Sequence, residues 1–115
     1  MNVIRIADAK PYEAKLHHAM IALQLQGGAA SDTRYFTCGL SHFLPGGGAF
    51  RSVSATEKCY LVIRGEVIII TDASQVTLGP LDSCHLAPGK ARAIENRTNE
   101  VATMAVIVSK PEAAK

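Results

Sequence analysis

Residues 45–65 read PGGGAFRSVSATEKCYLVIRG, and residues 79–96 read GPLDSCHLAPGKARAIEN. Both stretches contain glycine and proline turns, and each turn is followed by a run of β-branched and aliphatic residues. Turn residues interrupt the rest of the chain at similarly short intervals. Many short strands at this spacing predict an all-β sandwich or barrel.

The same pattern predicts strands on either side of these two stretches. The runs fall at 20–25, 35–44, 58–63, 66–70, 75–78, 83–86, 91–95 and 101–108. Arg64–Gly65 separates two neighbouring runs and predicts a hairpin there. Only residues 8–18 are compatible with a helical turn or two, because Pro11 is tolerated in the first turn of a helix.

The composition is that of one small domain. The chain has 115 residues, of which 48% are apolar and 19% charged, so it is neither a disordered tail nor a membrane protein. Its net charge of +2 comes with scattered basic residues, which predicts no binding of nucleic acid. Residues 1–10 lack a secretion signal, and no apolar run approaches the roughly 20 residues of a membrane span. We therefore expect a cytoplasmic protein with no membrane partner.

Residues 1–115 are expected to form a single barrel domain. Residues 1–18 would supply an N-terminal arm and the first strand, and residues 110–115 would fray. The strand around 104–108 is apolar on both faces, which is typical of a closed barrel, an inner layer or a dimer interface. We therefore expect a homodimer. Three widely spaced cysteines predict free, buried thiols, with a reactive thiol as the alternative: Cys38, Cys59 and Cys84.

The two opening stretches resemble the two sequence motifs of the cupin family of RmlC-like proteins. The first family pattern is G-x5-H-x-H-x3/4-E-x6-G, and its two glycines match Gly46 and Gly65. The second is G-x5-P-x-G-x2-H-x3-N, to which Gly79, Gly89 and Asn96 correspond, although the proline and the second glycine are adjacent here. The resemblance implies a jelly-roll barrel, also called a double-stranded β-helix, with little or no helix.

The metal ligands of the family are replaced in this chain. Counting from the glycines, Ser52 and Ser54 stand at the two histidine positions of the first motif. Lys58 stands at the position of the glutamate, and Arg92 at that of the last histidine. Hydroxyl groups are poor ligands, and protonated lysine and arginine cannot ligate a cation. We therefore expect no metal and no other cofactor at the usual site.

A register shifted by one residue leads to the same expectation. It places Arg51 and Val53 at the histidine positions and Glu57 at the carboxylate position. If a metal did bind, the donors available would be Glu57, His42 and His85. Each of these two histidines could equally line the cavity or act as a hydrogen-bonded structural residue.

Strand alternation places Lys58 and Tyr60 on one face of their strand. In the cupin family this face looks into the barrel because it carries the metal-binding glutamate, and Arg92 would share that interior. Two cations inside a small barrel need an anion, so we expect a pocket for a small carboxylate or phosphate. In the alternative, both cations reach the barrel mouth and pair with Glu57 and Glu95.

The sequence is compatible with three functions. The first is a metal-free cupin that binds a small anionic or polar organic molecule. The alternative, which the resemblance implies, is a dioxygenase, isomerase or lyase with an atypical active site, in which Lys58 could serve as the acid–base group. A third is a dimerising structural barrel whose own side chains fill the cavity. The main pocket candidates are Ser52, Ser54, Lys58, Tyr60 and Arg92, with Arg51, Glu57, His42 and His85 as weaker candidates, and no catalytic residue is assigned.

Overall fold

The computed structural model describes residues 1–110, and this part of the chain consists almost entirely of antiparallel strands. The strands are β1 (Lys10–Tyr12), β2 (His17–Gln26), β3 (Phe36–Val53), β4 (Lys58–Arg64), β5 (Val67–Thr71), β6 (Gln75–Leu78), β7 (Ser83–Leu86), β8 (Ala91–Glu95) and β9 (Ala102–Ser109). One turn of 3-10 helix covers Ile6–Asp8. The predicted all-β class is confirmed, and the predicted fraying of 110–115 falls almost wholly outside the described residues.

The strands form a nearly closed jelly-roll barrel. Their order is β6-β5-β8-β3-β9-β4-β7, with β2 paired to β3 and β1 paired to β2. The first half of β3 pairs with β9 and its second half with β8, so this strand belongs to both walls of the barrel. Among residues 1–110, no helix has the length and apolar character needed to cross a membrane.

The glycine-rich stretch bends β3 and does not end it. The strand predicted at 35–44 continues through the glycines as far as Val53. A Cβ atom on Gly48 would lie 2.0 Å from the carbonyl oxygen of Ile94, so β8 approaches β3 as closely as two backbones allow. The glycines therefore let one continuous strand pass from the β9 wall to the β8 wall.

Two other local predictions are wrong. The strands on either side of Arg64–Gly65 do not form a hairpin, because β4 pairs with β7 and β9 whereas β5 pairs with β6 and β8. Gly65, with φ of +77°, turns the chain from one wall to the other. In the N-terminal segment the helical turn lies at Ile6–Asp8, and most of residues 8–18 instead contributes to β1, β2 and the link between them.

The core occupies the interior of the barrel, where inward-facing residues of both walls meet. Its largest fully buried side chains are Tyr60, Phe43, Ile94, Met104, Val62, Val67 and Asn96. The amide of Asn96 donates to the backbone carbonyls of Phe43 and Glu100, while its oxygen accepts from Thr98. Asn96 thus supports the turn between β8 and β9, the structural role that a turn asparagine usually has.

The cysteines are free thiols, but they are not all buried. Cys38 and Cys84 are half-buried, whereas Cys59 is exposed. Cys59 precedes the inward-facing Tyr60 on β4, so strand alternation directs it outward. The prediction of a buried thiol is therefore wrong at this position.

Candidate functional site

A cavity of about 210 Å³ lies inside the barrel. Apolar side chains from β3, β8 and β9 form part of its lining: Phe43, Ile94, Met104, Val106 and Val108. Polar side chains from β2, β3, β4 and β8 form another part: His17, Ser41, Lys58, Tyr60 and Arg92. These polar groups project from paired strands and are therefore held on rigid elements.

Arg92 is the most deeply buried cation of the cavity, with only 6% of the residue exposed. Its Nε–H donates to the Tyr60 hydroxyl at 2.8 Å, and Nη1 donates to Ser52 Oγ at 3.0 Å and to the carbonyl oxygen of Phe50 at 3.3 Å. All three partners are neutral. Within residues 1–110, no carboxylate lies within ion-pair distance of Arg92, and its Nη2 donates to no described group.

Tyr60 brings a second donor to the same place. The residue is 2% exposed, and burial raises the pKa of its hydroxyl, although the charge and hydrogen bond of Arg92 act in the opposite direction. The hydroxyl therefore keeps its proton at neutral pH. Because its oxygen accepts from Arg92, the O–H group remains a donor, and no acceptor for it lies among the described residues.

Lys58 adds a second cation. β4 projects it into the cavity, half-buried, and its ammonium group makes no ion pair or hydrogen bond with the described part of the chain. Burial lowers the pKa of Lys58, and the charge of Arg92 lowers it further. The alternative in which Lys58 and Arg92 pair with two glutamates is wrong, because Glu57 pairs with His85 and Glu95 with Arg97, each at 2.6 Å.

Residues 13–16, here called the mouth segment, connect β1 to β2, and three of them, Glu13, Ala14 and Lys15, line the cavity. This segment contributes a carboxylate, Glu13, and an ammonium group, Lys15. The carbonyl oxygen of Leu16 accepts a 2.8 Å hydrogen bond from the backbone N–H of Phe50, which ties the segment to β3. Glu13 and Lys15 are exposed and line the cavity, so they lie at its opening.

His17 follows the mouth segment and faces the cavity. Its ring stacks on Phe43, with ring centroids 6.4 Å apart and planes 12° from parallel. Nδ1 lies 2.7 Å from the carbonyl oxygen of Lys15, and since a carbonyl can only accept, Nδ1 carries the hydrogen. Burial lowers the pKa of His17 against the opposing effect of this hydrogen bond, and the charges of Arg92 and Lys58 lower it further. The neutral ring therefore presents Nε2 as an acceptor.

Two predicted pocket residues of β3 and its following turn lie elsewhere. The hydroxyl of Ser54 is engaged with Thr56, at 2.7 Å from its Oγ1 and 3.1 Å from its N–H, so it stabilises the turn before β4. Arg51 forms an exposed ion pair with Asp72 at 2.8 Å. A register shift at the bend of β3 directs Ser52 rather than Arg51 towards Arg92, and Ser52 contacts Arg92 without lining the cavity.

The three remaining weaker candidates are also outside the cavity. His42 bonds to Thr103 Oγ1 at 2.8 Å, on the opposite face of the sheet from Phe43. Glu57 and His85 form their exposed pair on the outside of β4 and β7. Strand alternation thus places Lys58, and not Glu57, in the interior.

The side chains at the family's ligand positions do not fit a divalent cation. Arg92 and Lys58 are cations, Ser52 already accepts a hydrogen bond from Arg92, and Ser54 lies in a turn. Among residues 1–110, no three His, Cys, Asp or Glu side chains are grouped so that they could hold a metal ion. A metal at the family's ligand positions would meet the two positive charges of Lys58 and Arg92.

The mouth of the cavity contains residues that the sequence motifs do not identify. The adjacent pair His17 and His18 offered a signal, since neighbouring strand residues point to opposite faces and one of them must face inward. In the structure His17 faces the cavity and His18 stacks on Phe50 outside it. Glu13 and Lys15 lie in a non-periodic link, where no pattern predicts the direction of a side chain.

Comparison with known structures gives the fold. The polyketide cyclase RemF from Streptomyces resistomycificus superposes with a TM-score of 0.85 at 12% identity, covering 99% of this chain and 82% of that one. A predicted oxalate decarboxylase from Thermotoga maritima gives 0.80 at 16% identity, covering 96% and 100%. An RmlC-like cupin from Shewanella frigidimarina gives 0.79 at 12% identity, covering 98% and 94%. These likenesses show the cupin fold.

No protein-family model matches the chain. A curated protein does match it over almost its whole length. This protein is called β-D-galactosidase Rv1717, from Mycobacterium tuberculosis, and it is 40% identical over 113 residues, which cover 98% of this chain and 97% of the relative. The chain therefore belongs to the same family of small cupin-fold proteins as β-D-galactosidase Rv1717.

Proposed function

We propose that this protein binds a small organic anion, a carboxylate or a phosphate ester, inside its barrel. The observation that supports this most strongly is Arg92, which is buried and bonded only to neutral groups of the described chain. A second cation, Lys58, faces the same cavity without a partner there. A buried cation without a counter-charge costs stability, and a bound anion offsets that cost.

The donors are arranged to serve such a ligand. Nη2 of Arg92, the O–H of Tyr60 and the ammonium group of Lys58 lack acceptors among residues 1–110. Charge-assisted hydrogen bonds from such donors to a carboxylate or phosphate are stronger than neutral ones. The volume of about 210 Å³ is below the ~300–1,000 Å³ of pockets for drug-sized ligands, so the ligand is small. The proposed binding needs no metal or other cofactor.

Thermal stabilisation by simple anions tests this proposal. Inorganic phosphate and cyclohexanecarboxylate should each raise the melting temperature of the protein, whereas neutral cyclohexanemethanol should not. Lys58→Met should weaken the anion effect, and Lys90→Met, which removes an exposed lysine before β8, should leave it unchanged. Equal stabilisation by the neutral alcohol, or an undiminished anion effect in Lys58→Met, contradicts the proposal.

A second candidate function is hydrolysis of β-D-galactosides, favoured by the 40% identity to a relative of that name. Glycosidases typically use two carboxyl groups about 5–9.5 Å apart. Among the described residues, Glu13 is the carboxylate that lines the cavity, whereas Glu57 and Glu95 lie outside in ion pairs. The geometry therefore supports anion binding better than it supports a carboxylate pair.

Hydrolysis of p-nitrophenyl β-D-galactoside by the purified protein tests this second candidate. If the cavity is a galactosidase site, Glu13→Gln should lower turnover by roughly 100-fold or more, since a general acid or base is worth that much. Glu66→Gln, purified in the same way, is the control, because that exposed residue precedes β5 and does not line the cavity. Turnover that is equal in both variants would come from a contaminating enzyme.

We also propose that two copies associate through the outer face of β2, β3, β9 and β4. Register partners place a row of aliphatic side chains across this face: Leu23, Leu40, Ala105 and Leu61. Ile107, which lies on the same face, is 40% exposed. Sedimentation should show a dimer for the native chain and a monomer for Ile107→Lys. Val76→Lys, at a 46% exposed position on β6, should remain dimeric.

The absence of nucleic-acid and membrane partners and the cytoplasmic location stay predictions.

A further inference from the structure

We infer that the cavity selects a hydroxylated acid, of the class to which sugar acids belong, over simple carboxylates and over neutral sugars. The inference rests on the proposed anion site and adds the chemistry of the rest of the ligand. The acceptors at the mouth of the cavity support it, because an anion alone does not use them.

The first acceptor is the imidazole of His17. Its Nδ1–H is committed to the carbonyl oxygen of Lys15, so a neutral ring has only Nε2 to offer, and Nε2 accepts from no described residue. The ring is held in place by its stacking on Phe43. A fixed acceptor that faces a cavity suits a hydroxyl group of a ligand, and it repels a carboxylate or phosphate oxygen, which has no proton to donate.

The second acceptor is the carboxylate of Glu13 in the mouth segment. Glu13 makes no ion pair with a described residue and lines the same cavity as His17. A carboxylate accepts hydrogen bonds from hydroxyl groups and repels a second carboxylate. An anion therefore avoids Glu13 and binds towards Arg92, while hydroxyl groups of the same molecule are directed to the mouth.

The cavity thus has one set of groups for each part of a hydroxy acid. Arg92, Tyr60 and Lys58 present donors to the acid group, whereas His17 and Glu13 present acceptors to the hydroxyl groups. The apolar side chains of the lining suit the C–H surface of a carbon skeleton. The volume of about 210 Å³ matches a ligand smaller than drug size, such as one sugar ring with its acid group.

Calorimetric titration with three probes tests this selection. D-Galacturonate carries both the acid and the hydroxyl groups, D-galactose lacks the acid, and cyclohexanecarboxylate lacks the hydroxyl groups. Galacturonate should bind at least roughly tenfold more tightly than either of the others, since each additional hydrogen bond contributes up to about that factor.

Each other outcome has a separate meaning. If cyclohexanecarboxylate binds as tightly as galacturonate, the selection for hydroxyl groups is wrong, but the anion site stands. If galactose binds as tightly as galacturonate, the charge is irrelevant, and both the inference and the anion site are wrong. If none of the three binds, the proposed function itself is contradicted.

A matched pair of variants locates the effect. His17→Phe keeps an aromatic ring on Phe43 and removes the acceptor, whereas His18→Phe makes the same change at the neighbouring residue outside the cavity. His17→Phe should weaken galacturonate binding by roughly tenfold and leave cyclohexanecarboxylate binding unchanged. Unchanged galacturonate binding in His17→Phe, or an equal loss in His18→Phe, would overturn the inference.

Discussion

Nε of Arg92 lies 2.8 Å from the hydroxyl oxygen of Tyr60 and donates a hydrogen bond to it. Arg92 belongs to β8 and Tyr60 to β4, two strands that are not neighbours in the sheet order, so the bond spans the barrel interior. It fixes the guanidinium on one side and leaves Nη2 without a described partner. The bond therefore stabilises the barrel, and it also holds the guanidinium in a position from which Nη2 can donate to an anion.

Tyr60→Phe tests this connection. The ring remains in the core, but an N–H of Arg92 loses its acceptor and the cavity loses a donor. We expect the free energy of unfolding to fall by roughly 2 kcal/mol, the usual value for a buried bond with one charged partner. Urea denaturation measures this, with Tyr35→Phe at a 61% exposed position as the control. Equal stability of the two variants would show that the bond has no energetic role.

Lys58→Met should stabilise the protein while it weakens anion binding. The substitution removes a half-buried cation that has no described partner and lies beside Arg92. We expect a rise in melting temperature of about 2 °C, kept small because the ammonium group is still partly hydrated. Differential scanning calorimetry without added anions checks this. A lower melting temperature would mean that Lys58 already has a stabilising partner in the ligand-free protein.

The pKa of His17 predicts a dependence of stability on pH. Burial lowers this pKa below its ordinary value of 6.5, so below pH 6.5 the unfolded chain takes up a proton that the folded chain does not. The contribution of His17 to stability is therefore complete above pH 6.5 and declines as the pH falls towards the folded-state pKa. The slope is at most about 1.4 kcal/mol per pH unit, the value for one proton.

Urea denaturation between pH 5 and 8 measures this effect. His17→Phe should remove that part of the pH dependence, because no titrating group then remains at this position. His18→Phe should retain it, since the change there lies outside the cavity. Parallel pH curves for the native chain and His17→Phe would show that another group causes the loss of stability in acid.

Gly48→Ala should disrupt the bend of β3. The added Cβ would meet the carbonyl oxygen of Ile94 at 2.0 Å, and this backbone atom cannot move without breaking the pairing of β3 with β8. We expect a loss of roughly 3 kcal/mol or more, which corresponds to a fall of more than about 10 °C in melting temperature. Gly79→Ala is the control, because its nearest contact would be an ordinary 3.7 Å. Equal melting temperatures for the two variants would contradict the close approach of the strands.

The spacing of turns and apolar runs predicted the all-β class, and strand alternation placed Lys58 and Tyr60 on one face of their strand. The cupin barrel and the inward direction of that face came from the resemblance to the cupin motifs. Predictions from the sequence were wrong where the pairing of a strand or the contacts of a side chain depend on residues that are distant in the sequence or lie in an irregular turn. Arg64–Gly65 is a turn, but local sequence does not specify that β4 and β5 pair with different strands. Ser54 occupies a motif position, yet its hydroxyl is taken up by a neighbouring threonine. Glu13 was missed because it lies in the non-periodic link between β1 and β2, where no sequence pattern predicts the direction of a side chain.

The most direct test of the anion site is a crystal structure of the protein with D-galacturonate. We expect the carboxylate inside the barrel, within about 3 Å of Arg92 Nη2 and of the Lys58 ammonium, with the hydroxyl groups towards His17 and Glu13. A carboxylate bound outside the barrel, or a metal ion coordinated between Lys58 and Arg92, would contradict the proposed site.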